Sequence, residues 1–139
     1  MTMICGIELK SSEAIIAIVN SDDGQVGYVD TDPKRIQIAD DENVADVQSF
    51  FDAFRNFLRD NHIEQLVIKK RAKRGQMAGG AVTFKLEGLI QLNGTVPIDF
   101  ISGQTIAAYQ KRHGLEIPAA LNRYQEQAYL AAIIWANQR

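Results

Sequence analysis

Leu66-Val67-Ile68-Lys69-Lys70 is an apolar run without polar alternation that stops abruptly at two cations. A strand with one wet face alternates, whereas a strand covered by helices on both faces does not. The run therefore reads as a central strand of an α/β sheet. Upstream of it, Val47, Phe50, Phe51, Phe54, Phe57 and Leu58 recur at spacings of three and four between Val44 and Asn61, the period of an amphipathic helix. Asn43 is placed to cap its start, and Asn61-His62 falls where its last carbonyls need partners. Downstream, Val82, Leu86, Leu89 and Ile90 mark a second helix closed by Asn93-Gly94, and Val96 to Ile101 reads as a further strand. Ser102-Gly103-Gln104-Thr105 then begins like a capped helix that stops at His113-Gly114.

Farther out, Met3 to Ile7 and Ala14 to Val19 are short apolar runs joined by the polar Lys10-Ser11-Ser12-Glu13, the pattern of a hairpin. Ser21-Asp22-Asp23-Gly24 is a turn signal, and a third strand is expected over Gln25 to Val29. Arg35 to Ile38 is either its continuation or an irregular connection after Asp32-Pro33. Pro118 suits the first turn of a last helix whose apolar face is Leu121, Tyr124, Ala128, Ala131, Ala132 and Trp135. The order is three antiparallel strands, then helix, strand, helix, strand and terminal helices. This predicts an α/β fold with a mixed sheet, the Leu66 to Ile68 strand lying parallel to and beside Met3 to Ile7.

At 139 residues, with 46% hydrophobic and 23% charged residues, the chain is expected to form one globular domain over 1–139. Its formal net charge of -2 excludes a global basic field, so contact with nucleic acid must come from a local patch. Cys5 is the single cysteine; an internal disulfide and a cysteine-cluster zinc site are excluded, and its apolar surroundings predict a buried small hydrophobe. The start lacks a basic region, and no run approaches the ~18 apolar residues of a membrane span. These features predict a cytoplasmic protein without a membrane partner.

Three stretches resemble the RuvC-like branch of the RNase H-like superfamily. Ile4-Cys5-Gly6-Ile7-Glu8 resembles the family's opening strand, in which an apolar run and Gly-Ile lead to an invariant aspartate; Glu8 stands in its place. Leu66 to Lys70, with the Gly-rich basic stretch and the Gly88-containing helix that follow, resembles the fourth family strand and its catalytic glutamate, where this chain has Lys69. Tyr124 to Ala132 resembles the last family helix, where two aspartates three residues apart precede an Ala-rich stretch; without a gap, Tyr124 and Gln127 fall there. The resemblance implies an RNase H-like fold, and membership of an uncharacterised bacterial family of that kind.

The family's nucleases use two divalent metals, which several converging carboxylates must hold. Here Glu8 stands alone, an ammonium at Lys69 repels magnesium, and Gln127 offers a neutral amide. No catalytic residue and no cofactor are therefore expected; a weak magnesium or manganese site at Glu8, aided by a displaced Glu87 or Glu126, is the alternative. If the first and fourth strands are neighbours, as the resemblance implies, Lys69 is the partner of Glu8 in an ion pair. Glu87 and Glu126 are otherwise expected to be solvated helix residues.

Lys69, Lys70, Arg71, Lys73 and Arg74 run into Gly75-Gln76-Met77-Ala78-Gly79-Gly80. This is the most unusual local composition in the chain, and a candidate anion-binding loop through Lys70, Arg71, Lys73 and Arg74. It lacks the Gly-Lys-Ser or Gly-Lys-Thr of a Walker loop. A solvated connection is the plainer reading. His62 and His113 sit beside helix ends, where an imidazole can cap carbonyls. The leading expectation is a non-catalytic RNase H-like module that binds nucleic acid or another phosphate-bearing partner. A divergent metal-dependent nuclease using Glu8 is the alternative, and a structural or homodimeric interaction protein is the third.

Overall fold

The computed structural model describes residues 1–71 and 80–138. The chain begins with strand β1 (Thr2–Lys10), which turns at Ser11 into β2 (Glu13–Asp22). Asp23 and Gly24 both take positive φ, and the chain returns as β3 (Gln25–Val29). A primed two-residue turn of this kind matches the strand twist, and Asp-Gly is its favoured sequence. Arg35–Gln37 is neither a continuation of β3 nor irregular: it is a separate strand, β4, beside the first half of β2. The ten residues of β2 leave room for this, because β3 occupies only Ile18 to Asp22.

Helix α1 (Val44–Asp60), strand β5 (Gln65–Lys69), helix α2 (Ala81–Gln91), strand β6 (Ile98–Ile101), helix α3 (Gly103–His113) and helix α4 (Glu126–Asn137) follow. Among the described residues the sheet runs β3-β2-β1-β5-β6, with β4 against β2. Its first three strands are antiparallel, and β5 lies parallel to β1 with Ile7 opposite Ile68. The sheet is mixed, as the element order predicts.

Each face of the sheet carries its own core. Cys5, Ile7 and Leu9 pack with Phe50, Phe54 and Phe57 of α1 and with Leu86 and Ile90 of α2. Ile4, Ala17 and Val67 pack on the other side, with Ile106 of α3 and Ala128 to Ile134 of α4. Burial of one such aromatic ring is worth several kcal/mol, and truncating Phe54 to alanine would cost about 3 to 5 kcal/mol.

The helix ends explain their boundaries. Asn43 caps α1, its side chain accepting from the Asp46 N–H at 3.1 Å. At the other end it is Asn61, not the His62 imidazole, that serves the carbonyls, donating Nδ2 to Phe57 O at 3.0 Å. His113 does not cap α3 through its ring; the imidazole packs on Tyr109, and Gly114 in the left-handed region ends the helix.

The last helix departs from expectation. Pro118 lies in an irregular segment, and the helix proper starts at Glu126 after a 3-10 turn over Arg123–Gln125. Gln125 sets that start, since its Oε1 accepts from the Asn122 N–H at 3.0 Å. Tyr124 is thus outside α4 and exposed. The helix is buried all round from Ala128 to Ile134, so it has no single apolar stripe. No helix among the described residues is long and apolar enough to cross a membrane.

Candidate functional site at the end of the parallel strands

Side chains at alternate positions of β1 face alternate sides, which places Ile4, Gly6 and Glu8 toward α4. On β5, Val67 and Lys69 face the same way. Glu8 and Lys69 are each one residue past the last paired rung, Ile7 with Ile68, so they meet at the carboxyl ends of adjoining parallel strands. Lys69 Nζ lies 3.5 Å from Glu8 Oε2. Their side chains are 25% and 20% exposed, which puts the pair between the solvated and the fully buried limits.

The start of α3 confines the lysine. A Cβ on Gly103 would lie 3.3 Å from Lys69 Cε, so the glycine leaves the space that the lysine stem takes. Ser102 caps this helix, accepting from the Thr105 N–H at 3.0 Å. Nothing in the sequence marked Gly103 as more than part of a helix start.

The remaining residues expected here are placed differently. Gln127 is in the first turn of α4, half-buried, and its side chain forms no hydrogen bond among the described residues. Tyr124 belongs to another neighbourhood: the Arg35 guanidinium lies 4.4 Å over its ring, and Arg35 is in turn 3.6 Å from Glu13. The residue that turns inward is Gln125, 1% exposed, which donates Nε2 to Ile16 O of β2 at 2.8 Å. A glutamine between Tyr124 and Glu126 carries no hydrophobic signal, so nothing in the sequence marks it.

Of the basic cluster, Lys70 is exposed, with its backbone N–H on Ile101 O at 2.8 Å. Arg71 turns inward. Its side chain is 9% exposed, its Nη2 reaches Glu87 Oε1 at 2.6 Å, and its guanidinium covers the Phe84 ring at 4.3 Å. Arg71 is thus committed within the protein, and Glu87 is its partner, not a solvated residue. Nε and Nη1 of Arg71 are buried without a hydrogen-bond partner among the described residues. Lys73 and Arg74 lie outside the described residues.

The donor set does not fit a two-metal centre. Among the described residues no three or more His, Cys, Asp or Glu side chains converge where they could hold a metal. The one carboxylate at the sheet end already faces an ammonium, and Glu87 is tied to Arg71. Cys5, fully buried beneath α1 and α2, is a packing residue whose thiol burial pushes up in pKa.

The chain belongs to the DUF3010 family, described as protein of unknown function, whose pattern matches residues 2–135. No curated protein matches its sequence. Among solved structures it is similar to Thermus thermophilus RuvC in complex with a Holliday junction substrate, with a TM-score of 0.70 and 10% identity over 99% of this chain and 96% of that one. A second Thermus thermophilus RuvC structure gives a TM-score of 0.65 and 13% identity over 95% and 92%. At such identities the likeness establishes the fold. It is the RuvC-like form of the RNase H-like fold, as the three sequence stretches predicted.

Proposed function

We propose that this chain is a non-catalytic RNase H-like module that binds nucleic acid, or another phosphate-bearing partner, at the carboxyl end of its parallel strands. The observation that carries the reading is the Glu8–Lys69 pair: where a nuclease of this fold gathers carboxylates around divalent cations, this chain puts an ammonium against Glu8. The ammonium repels a metal and cancels the carboxylate charge that would otherwise repel a phosphate. Exposed Lys70, the next residue, supplies the positive charge at the same end of the strands.

The RuvC structure named above is a complex with a Holliday junction, and nucleic acid is carried over to this chain as part of the proposal. The alternative, a nuclease built from Glu8 and displaced acids, is disfavoured because Glu87 is engaged with Arg71.

Binding of fluorescent junction, duplex and single-stranded oligonucleotides, followed by anisotropy at rising salt, tests the reading. Phosphate-dominated binding must weaken steeply as salt rises, and Lys69→Ala with Lys70→Ala must weaken it further. No binding of any of the three at low salt would overturn the proposal and favour a structural or self-associating role.

A further inference from the structure

Phe100, on the edge strand, and Lys70, just past the end of β5, line two clefts in common. Phe100 lies on β6, the last strand of the sheet, and is 37% exposed, which is uncommon for a phenylalanine. The first cleft, about 320 Å³, is lined by Lys70 and Phe100 with Arg71, Phe84, Glu87 and Gln91. The second, about 260 Å³, is lined by the same Lys70 and Phe100 with Ser102, Thr105 and Trp135. Both are at the small end of ligand pockets: each can take one flat ring, and neither admits a duplex.

Arg71 closes the first cleft from within. The Arg71 guanidinium, nine-tenths buried, has Glu87 on one nitrogen and Phe84 beneath its face, but its Nε–H and Nη1–H find no acceptor among the described residues. Both nitrogens are closed off from solvent, so Arg71 is a wall of the cleft and not a donor to its occupant. The Glu87 carboxylate, the acid lining this cleft, is neutralised by Arg71 and so does not repel an anion strongly.

We propose that the Phe100–Lys70 ridge binds single-stranded nucleic acid, with an unstacked base laid on Phe100 and its phosphate on Lys70. A nucleotide offers what the ridge presents partners for: a flat face for the exposed Phe100 ring and a phosphate for the exposed Lys70 ammonium. The shared ridge lets consecutive bases occupy the two clefts, one walled by Phe84 and the other by Trp135. This rests on the nucleic-acid reading above and narrows it to unpaired strands, whose exposed faces a duplex does not offer.

The test uses the full chain and three probes of about eight nucleotides, within the usual range for one single-strand site: oligo-dT, an abasic strand with the same phosphates, and a duplex. Oligo-dT is expected to bind roughly tenfold more tightly than the abasic strand, as one stacked base provides, and to quench Trp135, the single tryptophan. Phe100→Leu, which keeps the residue apolar, should bring oligo-dT to the abasic level, and Phe100→Trp should restore the difference. Lys70→Ala should weaken both strands alike. Equal affinity for oligo-dT and the abasic strand, an unchanged Phe100→Leu, or a preference for duplex would overturn this inference while leaving the broader reading in place. Failure of all three probes to bind the unaltered protein would instead remove the nucleic-acid reading itself.

Discussion

The backbone carbonyl of Ala128 occupies the space that a side chain on Gly6 would need, so α4 rests directly on β1. The same contact fixes the distance between the start of α4 and Glu8, two residues along the strand. Gly6→Ala would press a methyl group into a backbone oxygen that cannot rotate away. It is expected to destabilise by about 3 kcal/mol or more, measured by urea unfolding. A change below about 1 kcal/mol would mean that the helix can lift without cost.

Glu8 and Lys69, at 3.5 Å and partly covered, should show measurable coupling. Lys69→Ala is expected to cost about 2 kcal/mol, between the surface and buried limits. In a double-mutant cycle with Glu8→Ala, the coupling should exceed about 0.5 kcal/mol. Lys69→Glu should be less stable still in the absence of metal, because two carboxylates then adjoin, and should gain melting temperature on adding magnesium. Coupling near zero would show that Lys69 and Glu8 share no chemistry despite their approach.

Arg71 and Glu87 form a tighter pair, at 2.6 Å with the arginine side chain 9% exposed. Glu87→Ala strips the buried guanidinium of its carboxylate and is expected to cost about 3 kcal/mol. Arg71→Met with Glu87→Leu should recover much of that, since an apolar pair leaves no uncompensated charge. If Glu87→Ala unfolds at the same urea concentration as the unaltered protein, the pair is not structural.

The central strand, the helix over Val44 to Asp60 and the parallel pairing of β1 with β5 were legible because hydrophobic period and element order encode them. The placing of Glu8 beside Lys69 was legible too, through the resemblance, since it needs only strand adjacency and side-chain parity. What could not be read were features made by tertiary contact. Arg71 and Glu87 are 16 residues apart, and nothing in their spacing marks a pair. The start of α4 was misplaced at Pro118, because Gln125, through its bonds to Asn122 and Ile16, outweighs the helix-starting preference of proline. Phe100 was absorbed into a strand, and its exposure follows from the place of β6 at the sheet edge.

Cys5 should be inert in the native state. Burial raises its thiol pKa, so the folded protein keeps the proton where the unfolded chain, above pH about 8.5, gives it up. The unfolded state then binds fewer protons, and stability falls as pH rises, by at most about 1.4 kcal/mol per pH unit from this group. Cys5→Ala should flatten that alkaline slope, and a thiol reagent should modify Cys5 only in denaturant. Rapid labelling of the folded chain at pH 8 would contradict this placement.

The central proposal, that the Lys69 ammonium takes the place of metal ligands at this end of the sheet, meets its most direct test in a cleavage assay. Junction, duplex and single-stranded substrates would be incubated with magnesium or manganese and either the unaltered chain or Glu8→Ala. The account predicts no cleavage that depends on Glu8, because one carboxylate beside a lysine cannot hold two divalent ions. Metal-dependent cutting by the unaltered chain that disappears in Glu8→Ala would contradict it.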